Sequence, residues 1–368
     1  MSQINTNAIL DASGGTTTTV NGFTPTVSNM AGRNRIINGD MRIDQRNAGA
    51  SLNPSPLDYT LDRWRFLGTQ SSKHTVQRST DAPVGFKYSM LLSSSSAYTV
   101  LSTDYFLYQQ FIEGLNCYDL AWGTTSAKPV TLSFWTKSSL AGTFGGVVSN
   151  ASRDQCFAFT YQIDQANTWE KKTISIVGPT SGVWLTDTGR GIAVEFSIGA
   201  GSNYIGTNNS WSSSDLRGAT GETSLVATSG ATLRITGVQL EVGSVATPFE
   251  HRQYGQELAL CQRYYNKFDV GYLVLTAYNS GTKLHGNIYF PVEMRASPSS
   301  QIIGTIDRVA LSGVSNINTT LVLNSTYGSN NSFREVRLNR SSGTVLTDGY
   351  AYAVLPTSSA YLEFNSEL

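Results

Sequence analysis

Few residues in this 368-residue chain combine the types and spacings that do chemistry. The three histidines, His74, His251 and His285, lie far apart, and neither H-E-x-x-H nor G-x-S-x-G occurs. No GxxxxGK(S/T) phosphate loop is present. Cys117, Cys156 and Cys261 match no metal knuckle and no C-x-x-C redox pair, and an odd count argues for free thiols in cores. Asp40, Asp44, Asp58 and Asp62 lack the dense D-x-D-x-D-G spacing of a calcium loop, so Asp62 and Arg63 are expected to make structural pairs. Glu113, Glu195 and Glu222 are candidates for a glycosidase carboxylate pair only by elimination, because such a separation is a property of the fold. The expectation is therefore a protein that is not an enzyme and holds no metal and no cofactor.

Binding chemistry is better represented. The polar stretch from about residue 200 to 222 contains Tyr204 and Trp211 among Asn208, Asn209 and Asp215. A tryptophan among Asn, Ser and Gly exposes apolar area unless something covers it. Sugar rings present C–H faces to aromatics while amides and carboxylates bind their hydroxyls, so these five residues are glycan-binding candidates. The alternative is that Trp211 tucks over the mouth of the domain or into a neighbouring subunit.

Composition narrows the partners. Lys plus Arg and Asp plus Glu are 26 each, so the net charge is zero, and only 14% of residues are charged against roughly 25% in ordinary soluble domains. No basic field gathers nucleic acid and no like-charge run marks a membrane patch. No uninterrupted apolar stretch approaches the roughly 20 residues of a membrane helix, and MSQINTNAIL does not read as a secretory signal. A surface rich in hydroxyls and amides suits neutral polar ligands or copies of the same chain.

The elements that must position these residues read as β. Val238, Leu240 and Val242 alternate with polar residues, while upstream the apolar parity is opposite, on Leu233 and Ile235; Gly237 marks the switch and predicts a bulge. Met41 and Ile43 predict a half-buried strand, and Leu61 with Trp64 predict a bend near Asp62. Val130, Leu132 and Phe134 point one way and Trp135 the other; Phe157, Phe159 and Tyr161, and then Ile192, Val194, Phe196 and Ile198, alternate likewise. Short, evenly spaced strands between Gly- and Ser-rich turns predict a β-sandwich over residues 33–250. Residues 251–268 predict a short linker helix, with Leu258, Cys261, Tyr265 and Phe268 on one apolar stripe. Residues 269–368 predict a second, smaller β-sandwich. Residues 1–32 are poor in core formers, with Ile4, Ile9 and Leu10 as anchors, and read as an arm that orders on docking or as a plain leader.

Several of these motifs form a recognisable set. NGDMRIDQR, YTLDRW, YQQFIEG, VTLSFW, TWEKKTI, ITGVQLEVG followed by ATPFE, ELALCQRYY, PVEMRASP and the final FNSEL together resemble tail-fibre and tail-tip proteins of bacteriophages, marine ones especially. The resemblance covers about residues 33 to 368. It implies a jelly-roll domain similar to carbohydrate-binding modules and a homotrimer with Leu258, Cys261, Tyr265 and Phe268 as seam candidates. It further implies that the N-terminal arm (Ile4, Ile9, Leu10) docks on other tail proteins of the virion, that the partner is host surface polysaccharide, and that the place of action is the virion. At the last sandwich strand, Thr236-Gly237 stands where cellulose- and xylan-type modules are often acidic, which weakens the case for their structural calcium.

Overall fold

The computed structural model describes residues 32–270, 273–278, 281–303, 306–311, 314–327, 333–343, 346, 348, 350–354 and 360–368. The chain passes from one compact unit to a second between Arg252 and Gln253. Ile4, Ile9 and Leu10 lie outside the described residues.

The larger unit is a jelly-roll β-sandwich. Its strands are β1 (Arg65–Gly68), β2 (His74–Ser79), β3 (Ser89–Ser94), β4 (Tyr105–Glu113), β5 (Val130–Ser138), β6 (Gly142–Ser149), β7 (Cys156–Ile163), β8 (Glu170–Ile176), β9 (Arg190–Ala200), β10 (Ile205–Gly206), β11 (Ser210–Ser212), β12 (Gly218–Ala219) and β13 (Thr232–Val242). One sheet runs β2-β3-β13-β5-β8 and the other β1-β4-β9-β6-β7-β11. The alternations seen in the sequence set the inner faces. Val130, Leu132 and Phe134 on β5 meet Phe159 and Tyr161 on β7 and Val194 and Phe196 on β9, all buried in one core with Trp64, Phe66 and Tyr108. Phe134 stacks edge-on against both Tyr161 and Phe196, with ring centroids 5.0 and 4.9 Å apart. Each such side chain contributes about 1.5–3 kcal/mol of apolar burial.

β13 carries the expected bulge. Its register against β5 shifts between Thr236 and Gln239, and Gly237 adopts φ +61. A Cβ there would lie 2.7 Å from the Phe86 ring and 3.2 Å from Trp135, so the glycine meets both a backbone and a packing requirement. The polar members of this alternation do not face solvent: Thr236, Gln239 and Glu241 are as buried as Val238 and Leu240. Their cover is the chain on either side of the strand run. Gln239 donates to Glu241 (2.9 Å) and accepts from the Glu250 amide (2.8 Å); Glu241 takes the Thr247 amide (2.8 Å) and hydroxyl (2.6 Å). Glu250 in turn receives the amides of Gly32 and Asn34 at 2.7 and 2.8 Å. Buried polar groups are tolerated because each finds a partner.

Asn34 closes this strap onto the bulge. Its side chain donates to the Val238 carbonyl (3.1 Å) and accepts from the amides of Ile36 (2.9 Å) and Leu240 (3.1 Å). Asn34→Ala strands these buried groups, each worth about 1–3 kcal/mol when left unpaired. A loss of about 3 kcal/mol in urea unfolding is expected; a loss under about 1 kcal/mol would mean water replaces the amide.

One local expectation needs correction. Met41 and Ile43 are buried but form no strand, because Met41 sits at φ +59, outside extended backbone. Asn38 (φ +56) organises the segment instead, its side chain bonding both backbone groups of Ile43 and the Asp62 carbonyl while its own carbonyl receives the Trp64 indole N–H. The bend at Asp62 is present: Arg63 adopts φ +71 and the Trp64 amide returns to Leu61.

In the smaller unit the helix is shorter than the apolar stripe implied. α1 covers Tyr254–Gln262, and the chain then extends into β14 (Tyr265–Asp269). Tyr265 and Phe268 therefore leave the helical stripe of Leu258 and Cys261. β-prone aromatics pair there with a strand from the far end of the chain, a non-local partner that outweighs local helical spacing. Cys261 and Tyr265 are buried, while Leu258 and Phe268 are half-buried. The remaining strands are β15 (Val274–Tyr278), β16 (Lys283–Tyr289), β17 (Ser299–Ile303), β18 (Ile306–Leu311), β19 (Val314–Tyr327), β20 (Phe333–Gly343), β21 (Ala351–Val354) and β22 (Tyr361–Asn365). β14-β22-β17 form a three-stranded sheet, and β15-β16-β20-β19-β18-β21 close into a barrel where a second sandwich was expected. Closure pairs the edges that an open pair of sheets leaves free.

Candidate functional site

The outer face of the six-stranded sheet carries a strongly polar arrangement that opens into a cavity. Adjacent strands place Arg65, Gln109, Glu195, Val147 and Ala158 in one cross-strand row. Strand alternation makes this inevitable once Tyr108, Val194 and Phe196 point inward, since their neighbours Gln109 and Glu195 must point outward.

Glu195 is 0% exposed although it belongs to the outer face. Arg153, from the turn between β6 and β7, lies over it with an N–O distance of 2.7 Å. The same guanidinium binds Asp215 at 2.6 Å and the Leu216 carbonyl. Burial works against the Arg153 charge, but Glu195 beside it holds its pKa above the ordinary arginine value. With its amide nitrogen toward Glu195 (2.6 Å), Gln109 presents its oxygen to Arg65 at 2.6 and 2.9 Å. Asp215 also pairs with Arg217 at 2.8 Å. Arg65, Gln109, Glu195, Arg153, Asp215 and Arg217 thus form one chain of charge-assisted contacts.

The turn that carries Arg153 is itself tightly bonded. Asn150 donates to Asp154 (2.6 Å) and to the Val183 carbonyl (3.1 Å) and accepts from the Gln155 amide (3.2 Å). Arg153 adopts φ +59 and Leu57, across the opening, φ +78, both unusual for residues with a Cβ. Between these turns lies a cavity of about 310 Å³. Strand side chains Arg65, Leu67, Gln109 and Phe111 form its floor; Leu57, Asn150, Ala151, Arg153, Arg190 and Arg217 form its rim. Two guanidiniums stack on the Phe111 ring, Arg190 at 4.3 Å and Arg65 at 4.7 Å from its centroid. The lining contains four arginines and no Asp or Glu.

The five residues singled out in the 200–222 stretch do not form one site. Trp211 sits on edge strand β11, donates its indole N–H to the Val177 carbonyl (2.7 Å), and packs edge-on against Trp122 and Trp184 with centroids 5.6 and 5.7 Å away. The Trp211 ring is half-buried against the core and its indole donor is bonded. Tyr204 meets Tyr105 edge-on at 5.1 Å. Asn208 donates to the Thr220 carbonyl at 3.3 Å, and Asn209 turns the chain at φ +57. Asp215 reaches the cavity's network through its side chain, holding Arg153 and Arg217 in place, and Tyr204 touches it through its carbonyl, which accepts the Arg217 amide at 2.7 Å.

The carboxylates named by elimination are likewise separate. Glu113 is buried at the end of β4. Glu222 is part-buried, its carboxylate accepting from the Ser197 hydroxyl (2.5 Å) and the Ala219 amide (2.9 Å). Gly145 and Gly218 make room for it, since a Cβ at either would fall within 2.5 Å of a carboxyl oxygen. Burial pushes the Glu222 pKa up to about 7. No group of three or more potential metal ligands occurs among the described residues.

No protein-family model matches the chain, and no curated protein does. Solved structures resemble it at low identity. The enzymatically active domain of tailspike protein 4 from bacteriophage CBA120 is 15% identical with a TM-score of 0.33, over 57% of this chain and 21% of that one. The TmCBM61 module in complex with β-1,4-galactotriose is 12% identical with a TM-score of 0.29, over 57% and 99%. The family 11 carbohydrate-binding module of the Clostridium thermocellum cellulase Lic26A-Cel5E is 12% identical with a TM-score of 0.28, over 56% and 100%. The chain thus spans about a fifth of the length of the tailspike domain, and at these identities the likeness concerns the fold alone.

Proposed function

We propose that this protein is a bacteriophage tail-fibre or tail-tip component that attaches to surface glycan through the cavity on its six-stranded sheet, without catalysis. The cavity itself carries the reading. Its volume of about 310 Å³ is at the small end of the range for ligand sites and suits one or two sugar rings. Leu67 and Phe111 form the apolar part of its floor, while Gln109, Asn150 and the arginines offer fixed donors. Because the Arg153–Glu195 and Arg65–Gln109 contacts already set those donors, binding need not order them.

The placement on a virion rests on the sequence motifs that resemble phage tail proteins. In that setting the chain is a homotrimer, the arm carrying Ile4, Ile9 and Leu10 docks on other tail proteins, and several weak sites give avidity. The absence of catalysis is supported by the lining, where no Asp or Glu faces the cavity to serve as acid or nucleophile. The test is direct binding of the full chain to arrayed bacterial surface polysaccharides, with released reducing sugar assayed alongside. Retention on at least one polysaccharide without sugar release is expected. No retention on any would leave a structural virion part, and sugar release would make the protein a depolymerase.

A further inference from the structure

Resting on the glycan-binding reading above, we infer that the sugar taken by the cavity is acidic, and that its carboxylate is received by the guanidinium of Arg190 on the Phe111 ring. Arg153 and Arg217 are held by Glu195 and Asp215. Arg190 is not: it stacks on Phe111 at 4.3 Å and has no carboxylate partner among the described residues. Glu113, its register partner on β4, is buried and lies outside the lining. Stacking covers a face of the guanidinium and leaves its N–H edge available, the geometry that receives a carboxylate through two parallel hydrogen bonds.

Charge around the cavity points the same way. The chain is neutral overall and sparse in charge, yet the lining of the cavity of about 310 Å³ holds Arg65 and Arg190 beside the paired Arg153 and Arg217, with no acidic side chain facing it. Two of them, Arg65 and Arg190, share one aromatic ring. A neutral sugar draws only on their hydrogen bonds. A uronate or other carboxylated sugar draws on the charge as well, in a partly desolvated recess where salt screens it less.

The test titrates the full chain with a panel of uronate polymers, the same polymers after reduction of their carboxyl groups, and dextran sulfate. Arg190→Gln, whose fold is checked by its unchanged melting temperature, is run beside the wild type. Binding of a uronate polymer at least tenfold tighter than of its reduced form and of dextran sulfate, with a loss of about tenfold in Arg190→Gln, is expected. Equal binding of the native and reduced polymers overturns the acidic-sugar inference and leaves glycan binding standing. Dextran sulfate binding as tightly as the uronate, or Arg190→Gln binding like wild type, overturns the assignment of the carboxylate to this arginine. Binding of no polymer removes both the inference and the reading beneath it.

Discussion

Arg153→Ala is expected to destabilise the larger unit by about 3–5 kcal/mol, the cost of leaving a buried carboxylate without its counter-charge. Glu195 is wholly buried, and its remaining neighbour is the Gln109 amide, which carries no charge. Asp215 is less affected because it is part-exposed and keeps Arg217. The double variant Arg153→Met with Glu195→Leu distinguishes the cause: removing both charges should recover most of the loss, since the pair as a whole stabilises little over apolar packing. Urea unfolding of the three proteins measures this. A double variant no better than the single one would mean that Arg153 acts through the Asn150–Gln155 turn and not through Glu195.

The second large effect is in pH. Glu222 has its pKa raised by burial from 4.5 to about 7. A carboxyl with a raised folded-state pKa gives its full stability below the unfolded value and loses it as pH climbs through the folded one. Ionising this part-buried carboxyl therefore costs about 3 kcal/mol between pH 4.5 and 7. His74 works in the opposite direction. It is buried against Tyr108, 2.7 Å from the phenol oxygen, and burial lowers its pKa from 6.5 to about 4. Its contribution is complete above pH 6.5 and is lost as pH falls through about 4, again about 3 kcal/mol. The two terms oppose each other across the same window. The stability of Glu222→Gln relative to wild type should thus grow by about 3 kcal/mol from pH 4.5 to 7.5, read from urea midpoints at each pH. A difference independent of pH would show that the carboxyl is ionised or solvated throughout.

Much of the sandwich is written in local pattern. Phe134, Phe159 and Phe196 sit at alternating positions that face one core, and Gly237 stands where two apolar parities meet. What the pattern misses is cover supplied from a distance. Gln239 and Glu241 look like solvent-facing residues until the strap from Gly32 and the segment ending at Arg252 wrap them. The helix is overextended for a related reason: Tyr265 and Phe268 satisfy helical spacing, but the pairing that captures them lies almost a hundred residues away.

The site was hardest to see. Arg65, Arg153, Arg190 and Arg217 are scattered along the chain, and only the register of β1, β4 and β9 with two turns brings them together. One local signal was present. Glu195 is the single charge inside the apolar run GIAVEFSIG, and a lone carboxylate on a buried strand calls for a cation above it. Trp211 drew attention for a sound reason, exposed aromatic area, and Trp122, Trp184 and Phe157 cover part of it.

The central claim, that the cavity on the six-stranded sheet is where glycan binds, is tested most directly by filling it. Ala151 is an exposed residue on the rim and takes no part in the Arg153–Glu195 network, so Ala151→Trp blocks the opening while leaving the donors and the core in place. Calorimetric titration of wild type and Ala151→Trp with a bound polysaccharide should show at least a tenfold loss of affinity in the variant at an unchanged melting temperature. Undiminished affinity in a folded Ala151→Trp would contradict the claim and place the binding surface elsewhere on the protein.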